Sequence, residues 1–236
     1  MLRADVGIGI VLAGLVLSGC HPGSGAAVET RHETNSIDLD KIETARVEID
    51  MEAGELHVSS ATPKLLEANF NYTVPAWKPI VDYRTNQSRG DLTISQPKNS
   101  GGSFRNTVYT WELKLTDQLP LDITVKLGAG EANLELGRMN LQSVAVNMGA
   151  GSLKVDLRGE PMRDYTVRIQ GGVGEATVYL PRDAGISATA LGGIGEIQTS
   201  GLEKRDGVWI NPERMNAPAT VHLDVKGGVG QIHLVR

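Results

Sequence analysis

The sequence predicts an all-β protein whose glycine-cornered β-repeats stack as a β-solenoid, with a strongly bent β-sandwich as the alternative. Three observations predict it. Six segments share one grammar of alternating apolar residues, a glycine turn and more alternation. They are centred on Ala53-Gly54-Glu55, Gly128-Ala129-Gly130-Glu131, Gly149-Ala150-Gly151-Ser152, Gly172-Val173-Gly174-Glu175, Gly193-Ile194-Gly195-Glu196 and Gly228-Val229-Gly230-Gln231. From Gly130 onward the corner glycines recur 21, 23, 21 and 35 residues apart, the near-constant interval of a repeat architecture. The third observation is parity: Val144, Val146 and Met148 occupy even positions, whereas Leu153, Val155 and Leu157 occupy odd ones.

A strand's side chains alternate between its two faces, so a one-residue slip turns the apolar set outward unless the backbone corrects it. Glycine makes that correction, because a single extra residue with positive φ carries no Cβ penalty there. Gly54, Gly130, Gly151, Gly174, Gly195 and Gly230 are therefore expected as structural corners, each joining two short strands that point into one core. Aromatic residues are only 4% of the chain, which suits a narrow interior of stacked aliphatic side chains.

Along the chain, residues 1–19 have the layout of a secretory signal: Arg3 near the start, an uncharged run from Val6 to Leu17, then Ser18 and Gly19. The run is shorter than the roughly 20 apolar residues that span a bilayer. Leu17-Ser18-Gly19-Cys20 resembles the lipobox of bacterial lipoproteins. The resemblance implies lipidation at Cys20, export, and the membrane as a partner. His21 is not the aspartate associated with inner-membrane retention, which implies the periplasmic face of the outer membrane in a Gram-negative host. Cys20 is the sole cysteine, so no intramolecular disulfide can form. Residues 20–45 are polar, with Pro22, Gly23, Ser24 and Gly25 at their start, and read as a flexible tether spanning roughly 25 Å.

The repeats divide into an N-terminal region, 46–140, and C-terminal repeats, 141–236, expected to continue the same stack. Residues 62–120 are less regular and hold Trp77, Tyr83 and Trp111, which reads as a cap or lateral hairpin with a Gly/Ser-rich loop at 99–103. Residues 205–218 read as a loop or insertion between the last two repeats.

In the first half, Leu65 to Tyr72, Trp77-Lys78-Pro79, Gly90-Asp91-Leu92-Thr93-Ile94-Ser95-Gln96, Trp111-Glu112-Leu113, Leu119-Pro120-Leu121-Asp122 and Leu127-Gly128-Ala129-Gly130-Glu131 follow one another in the order seen in toast-rack N-terminal domains. This stretch, about residues 47–157, resembles that family, and the remaining repeats are similar to adhesin-type β-repeats. The resemblance implies a bacterial envelope domain and supplies no catalytic residues.

Sharper chemistry fares poorly against the residues. The Gly-x-Gly corners lack the third glycine and the helix of a dinucleotide fingerprint. Ala176, Ile197 and Ile232 stand where a calcium-binding nonapeptide needs aspartate. The histidines His21, His32, His57, His222 and His233 have no zinc-ligand spacing, and no Gly-x-Ser-x-Gly elbow occurs. No metal or cofactor is expected. A formal net charge of −5, spread among interleaved acids and bases, excludes the basic stripe of a nucleic-acid binder. Trp77, Tyr83 and Trp111 read as an aromatic end plug, with a ligand platform for glycan as the alternative.

The expected function is a lipid-anchored, non-catalytic envelope protein that presents a rigid surface to a protein or glycan for binding, adhesion or scaffolding. The alternative is a solenoid-type polysaccharide-acting enzyme using outward carboxylates such as Glu131, Asp156 and Glu175.

Overall fold

The structure, a computed structural model, describes residues 29–98, 107–214 and 216–236. Period-two alternation becomes strand throughout. The strands are β1 (Arg31–Ile37), β2 (Thr44–Thr62), β3 (Leu66–Tyr72), β4 (Ile80–Asn86), β5 (Arg89–Ser95), β6 (Tyr109–Thr116) and β7 (Leu121–Glu135). There follow β8 (Leu141–Asp156), β9 (Tyr165–Tyr179), β10 (Gly185–Ser200), β11 (Glu203–Arg205), β12 (Val208–Ile210) and β13 (Thr220–Val235). Cys20 and the loop at 99–103 lie outside the described residues.

Strands β2, β7, β8, β9, β10 and β13 run 15 to 19 residues and each passes through a corner glycine. All six corner glycines have φ between 129° and 145°, backbone space that side chains with a Cβ avoid. In β8 the effect is explicit: Val144, Val146 and Met148 are buried before Gly151, and Leu153 and Val155 are buried after it. The first and second halves of each long strand thus feed one continuous core, and the extra residue is absorbed at the bend.

The long strands are parallel and in register. Gly54 lies beside Gly130, Gly130 beside Gly151 and Gly151 beside Gly174; Gly230 follows Gly174, and Gly195 follows Gly230. Backbone hydrogen bonds carry the ladder between successive rungs past the strand ends, as where the Leu136 N–H donates to the Asp156 carbonyl at 2.8 Å and the Leu157 N–H to the Tyr179 carbonyl at 2.8 Å. The solenoid expectation therefore describes the wall, but the chain does not advance one rung at a time. The spatial order is β9-β13-β10, so the final strand threads between two that precede it. Residues 141–236 lie in the same stack, in this interleaved order. Asn211, 1% exposed, holds the skipped rung in place. Its Oδ1 accepts from the Ile186 N–H at 2.7 Å and its Nδ2 donates to the Ala184 carbonyl at 2.7 Å.

At the N-terminal end of the stack, β5 pairs with the first half of β2 and β4 with β5. On its second half, β6, β3 and β1 follow one another. At the other end β12 and β11 form an antiparallel hairpin on the first half of β10. Residues 205–218 thus contain strand, not only loop. The tether expected over residues 20–45 is also shortened by the structure, because Arg31–Ile37 pairs antiparallel with β3. Glu33 fastens it: the Tyr72 hydroxyl donates to its carboxylate at 3.1 Å and Lys78 Nζ lies 2.9 Å away. A polar composition hid this strand, because its inward neighbours are supplied by β3.

Candidate functional site

The corner glycines form a column down one long edge of the stack, and the character of that edge changes along it. The inward position three residues before the corner is Met51, Leu127 and Met148 on β2, β7 and β8; on β9, β13 and β10 it is Gly171, Gly227 and Gly192. The residue between the two corner glycines changes the opposite way. It is alanine at 129 and 150, then Val173, Val229 and Ile194, which are 57%, 46% and 74% exposed.

Interior bulk is therefore lost where exterior aliphatic bulk is gained. Leu191, 62% exposed, adds to the same end of the edge. Beneath it, Met148, Leu153, Ile169, Val225 and Ile232 with the glycines line an apolar cavity of about 40 Å³. Val173, Val229 and Ile194 are adjacent in register on successive strands, so their exposed side chains form an aliphatic ridge. Sequence reasoning treated the six corners as equivalent; the signal that distinguishes them is Gly-Gly-x-Gly in the last three against Met-Glu-Ala-Gly, Leu-Gly-Ala-Gly and Met-Gly-Ala-Gly in the first three.

The aromatic residues are placed differently. Trp77 and Trp111 are 1% and 0% exposed. Tyr109 joins them, with ring centroids 5.5 Å from Trp77 and 5.6 Å from Trp111 in edge-on contact, and Phe70 meets Trp111 at 5.6 Å. The Tyr109 hydroxyl donates to the Trp77 carbonyl at 2.8 Å, and burial pushes its pKa well above the ordinary phenol range. Tyr83, half-buried on β4, stands outside this chain of rings. Buried rings offer no face to a sugar, so these tryptophans fill the end of the core.

The outward carboxylates are dispersed. Glu131 and Glu175 share a column but Ser152 lies between them, so they stand roughly 10 Å apart at two strand spacings. Glu175 lies 3.7 Å from His233 Nε2. Asp156 faces Arg158, whose Nε donates to it at 2.9 Å, and this hydrogen bonding holds the Asp156 carboxyl below its ordinary range. Arg158 and Lys154 in turn lie 4.8 Å and 5.4 Å from the Tyr179 ring centroid. A general acid needs the reverse shift, toward neutrality. Among the described residues no group of three or more His, Cys, Asp or Glu is placed to hold a metal ion.

Comparison with known proteins adds a family. Residues 26–179 match the family described as the N-terminal domain of toast_rack, DUF2154. Among solved structures, the chain is similar to a candidate cell adhesion protein from Clostridium sporogenes ATCC 15579, with 30% identity, a TM-score of 0.85, and coverage of 88% of this chain and 99% of that one. A candidate adhesin from Bacteroides fragilis NCTC 9343 matches with 11% identity over 88% of this chain and 98% of that one, at a TM-score of 0.37. No curated protein matches the chain.

Proposed function

Because the chain belongs to the family of the toast_rack N-terminal domain, DUF2154, we propose that it is an exported, lipid-anchored, non-catalytic envelope protein whose rigid stack presents a binding surface. Residues 1–19 serve as the signal, Cys20 carries the lipid, and the shortened tether up to β1 holds the stack near the membrane. The observation that carries the binding role is the exposed ridge of Leu191, Ile194, Val229 and Val173. Such side chains in water favour a partner that covers them. The description of the Clostridium sporogenes structure as a candidate cell adhesion protein supports the same class of role, with a protein or glycan of the envelope as partner.

Two measurements test the parts separately. Palmitate labelling of wild type and Cys20→Ala is expected to lose the label in the variant; equal labelling contradicts the anchor. Capture of envelope components by wild type and by Leu191→Ser/Ile194→Ser, with circular dichroism confirming an unchanged fold, tests the ridge. Undiminished capture by the variant contradicts the ridge as the binding surface.

A further inference from the structure

The stack presents four terminal strand edges, two at each end, and three are closed by added strands. β5 and β4 extend the first half of β2, β6, β3 and β1 extend its second half, and β12 and β11 extend the first half of β10. Among the described residues no strand pairs with the outer edge of residues 195–200, the second half of β10. The outermost strands at the closed ends carry charge: Arg31, His32 and Glu33 on β1, Asp82 and Arg84 on β4, and Glu203, Lys204 and Arg205 on β11. Charged edge strands discourage further pairing. The fourth edge reads Gly195-Glu196-Ile197-Gln198-Thr199-Ser200, with a single charge. It follows Leu191 and Ile194, which among the described residues are two of the most exposed large aliphatic side chains.

We propose that this edge pairs antiparallel with the same edge of a second copy, Ile197 opposite the partner's Ile197. Each closed end already shows the geometry, because the strands added outermost pair antiparallel. Charge and burial select the register. With Ile197 at the two-fold centre, Glu196 faces the partner's Gln198 on the solvent side, twice. That repeats between chains the contact made within one, where Gln198 Nε2 donates to Glu196 Oε2 at 2.9 Å. The two half-buried Ile197 side chains then meet on the core side. Sliding the centre to Glu196 opposes two carboxylates, and sliding it to Thr199 is excluded by no charge but leaves Ile197 without its apolar counterpart. Placing Gln198 at the centre opposes Ile197 to a threonine. Opposed pairs of this kind set the stability of antiparallel strands. Six residues a side make a small interface, so the dimer is weak and concentration-dependent. This pairing does not depend on the lipid anchor.

Sedimentation velocity on the full chain in a density-matched detergent, across a concentration series, tests it. Wild type is expected to dimerise. Gln198→Lys, which places lysine opposite Glu196 twice, should tighten the dimer by about three- to tenfold, and Gln198→Glu should weaken it by a similar factor. Position 198 is exposed, and circular dichroism checks that the fold is kept. A monomer at every concentration, equal dissociation constants in all three proteins, or weakening by both substitutions overturns the proposal; the last would place Gln198 opposite itself.

Discussion

A β-carbon on Gly174 would stand 1.8 Å from the carbonyl oxygen of Gly151 on the rung beside it. The same relationship joins Gly151 to Gly130 at 1.9 Å, so the corner is built by backbone touching backbone. Gly174→Ala therefore faces both a φ of 141° and a carbonyl that cannot move without shifting a whole strand. The expected cost is roughly 3 kcal/mol or more, read as a lowered denaturation midpoint.

Gly171, three residues earlier, is expected to give the opposite sign. A Cβ there meets nothing within 4 Å, and it points toward the apolar cavity. Gly171→Ala should stabilise by about 0.4–1 kcal/mol, through reduced freedom of the unfolded chain. A destabilisation comparable to that of Gly174→Ala would contradict the assignment of these two glycines to different roles.

Asn211 holds the skipped rung through two buried hydrogen bonds to backbone. Asn211→Ala leaves the Ile186 N–H and the Ala184 carbonyl without those partners, at a cost of about 2–4 kcal/mol. Limited proteolysis should show faster cleavage in the segment 201–219, ahead of the rest of the stack.

Asp156 contributes a pH dependence. Its pKa is lowered in the folded state by Arg158, so its stabilisation is present above the ordinary aspartate pKa and is lost as pH falls through the folded value. Asp156→Asn should cost about 0.5–1 kcal/mol at neutral pH, and the difference from wild type should vanish in acid. A gap that is constant with pH would mean that packing, not charge, sets the effect.

Much of the wall was legible because it is local. The parity slip at each glycine specifies a bend whatever the neighbours are, and Leu153 and Val155 lie buried beside Val144 and Val146 as that slip requires. Strand order was not legible. The 35-residue interval before Gly230 says that the chain makes an excursion, but it does not say that β13 returns between β9 and β10, which rests on long-range pairing with both. The strand Arg31–Ile37 was hidden for a related reason, since its pairing partner β3 begins 29 residues later than its last residue. At the corner edge, the replacement of Met148 by Gly171 and of Ala150 by Val173 on successive rungs was present in the sequence. Only the register shows that the two changes sit back to back.

The strand order is most directly tested by paired cysteines in a Cys20→Ser background, using a thiol crosslinker that spans about one strand spacing, roughly 5 Å. Thr166 lies beside His222, and His222 beside Ser187. Thr166→Cys with His222→Cys should crosslink efficiently, and Thr166→Cys with Ser187→Cys, two spacings apart, should not. The reverse outcome, with 166 joined to 187 and not to 222, would contradict the interleaved stack.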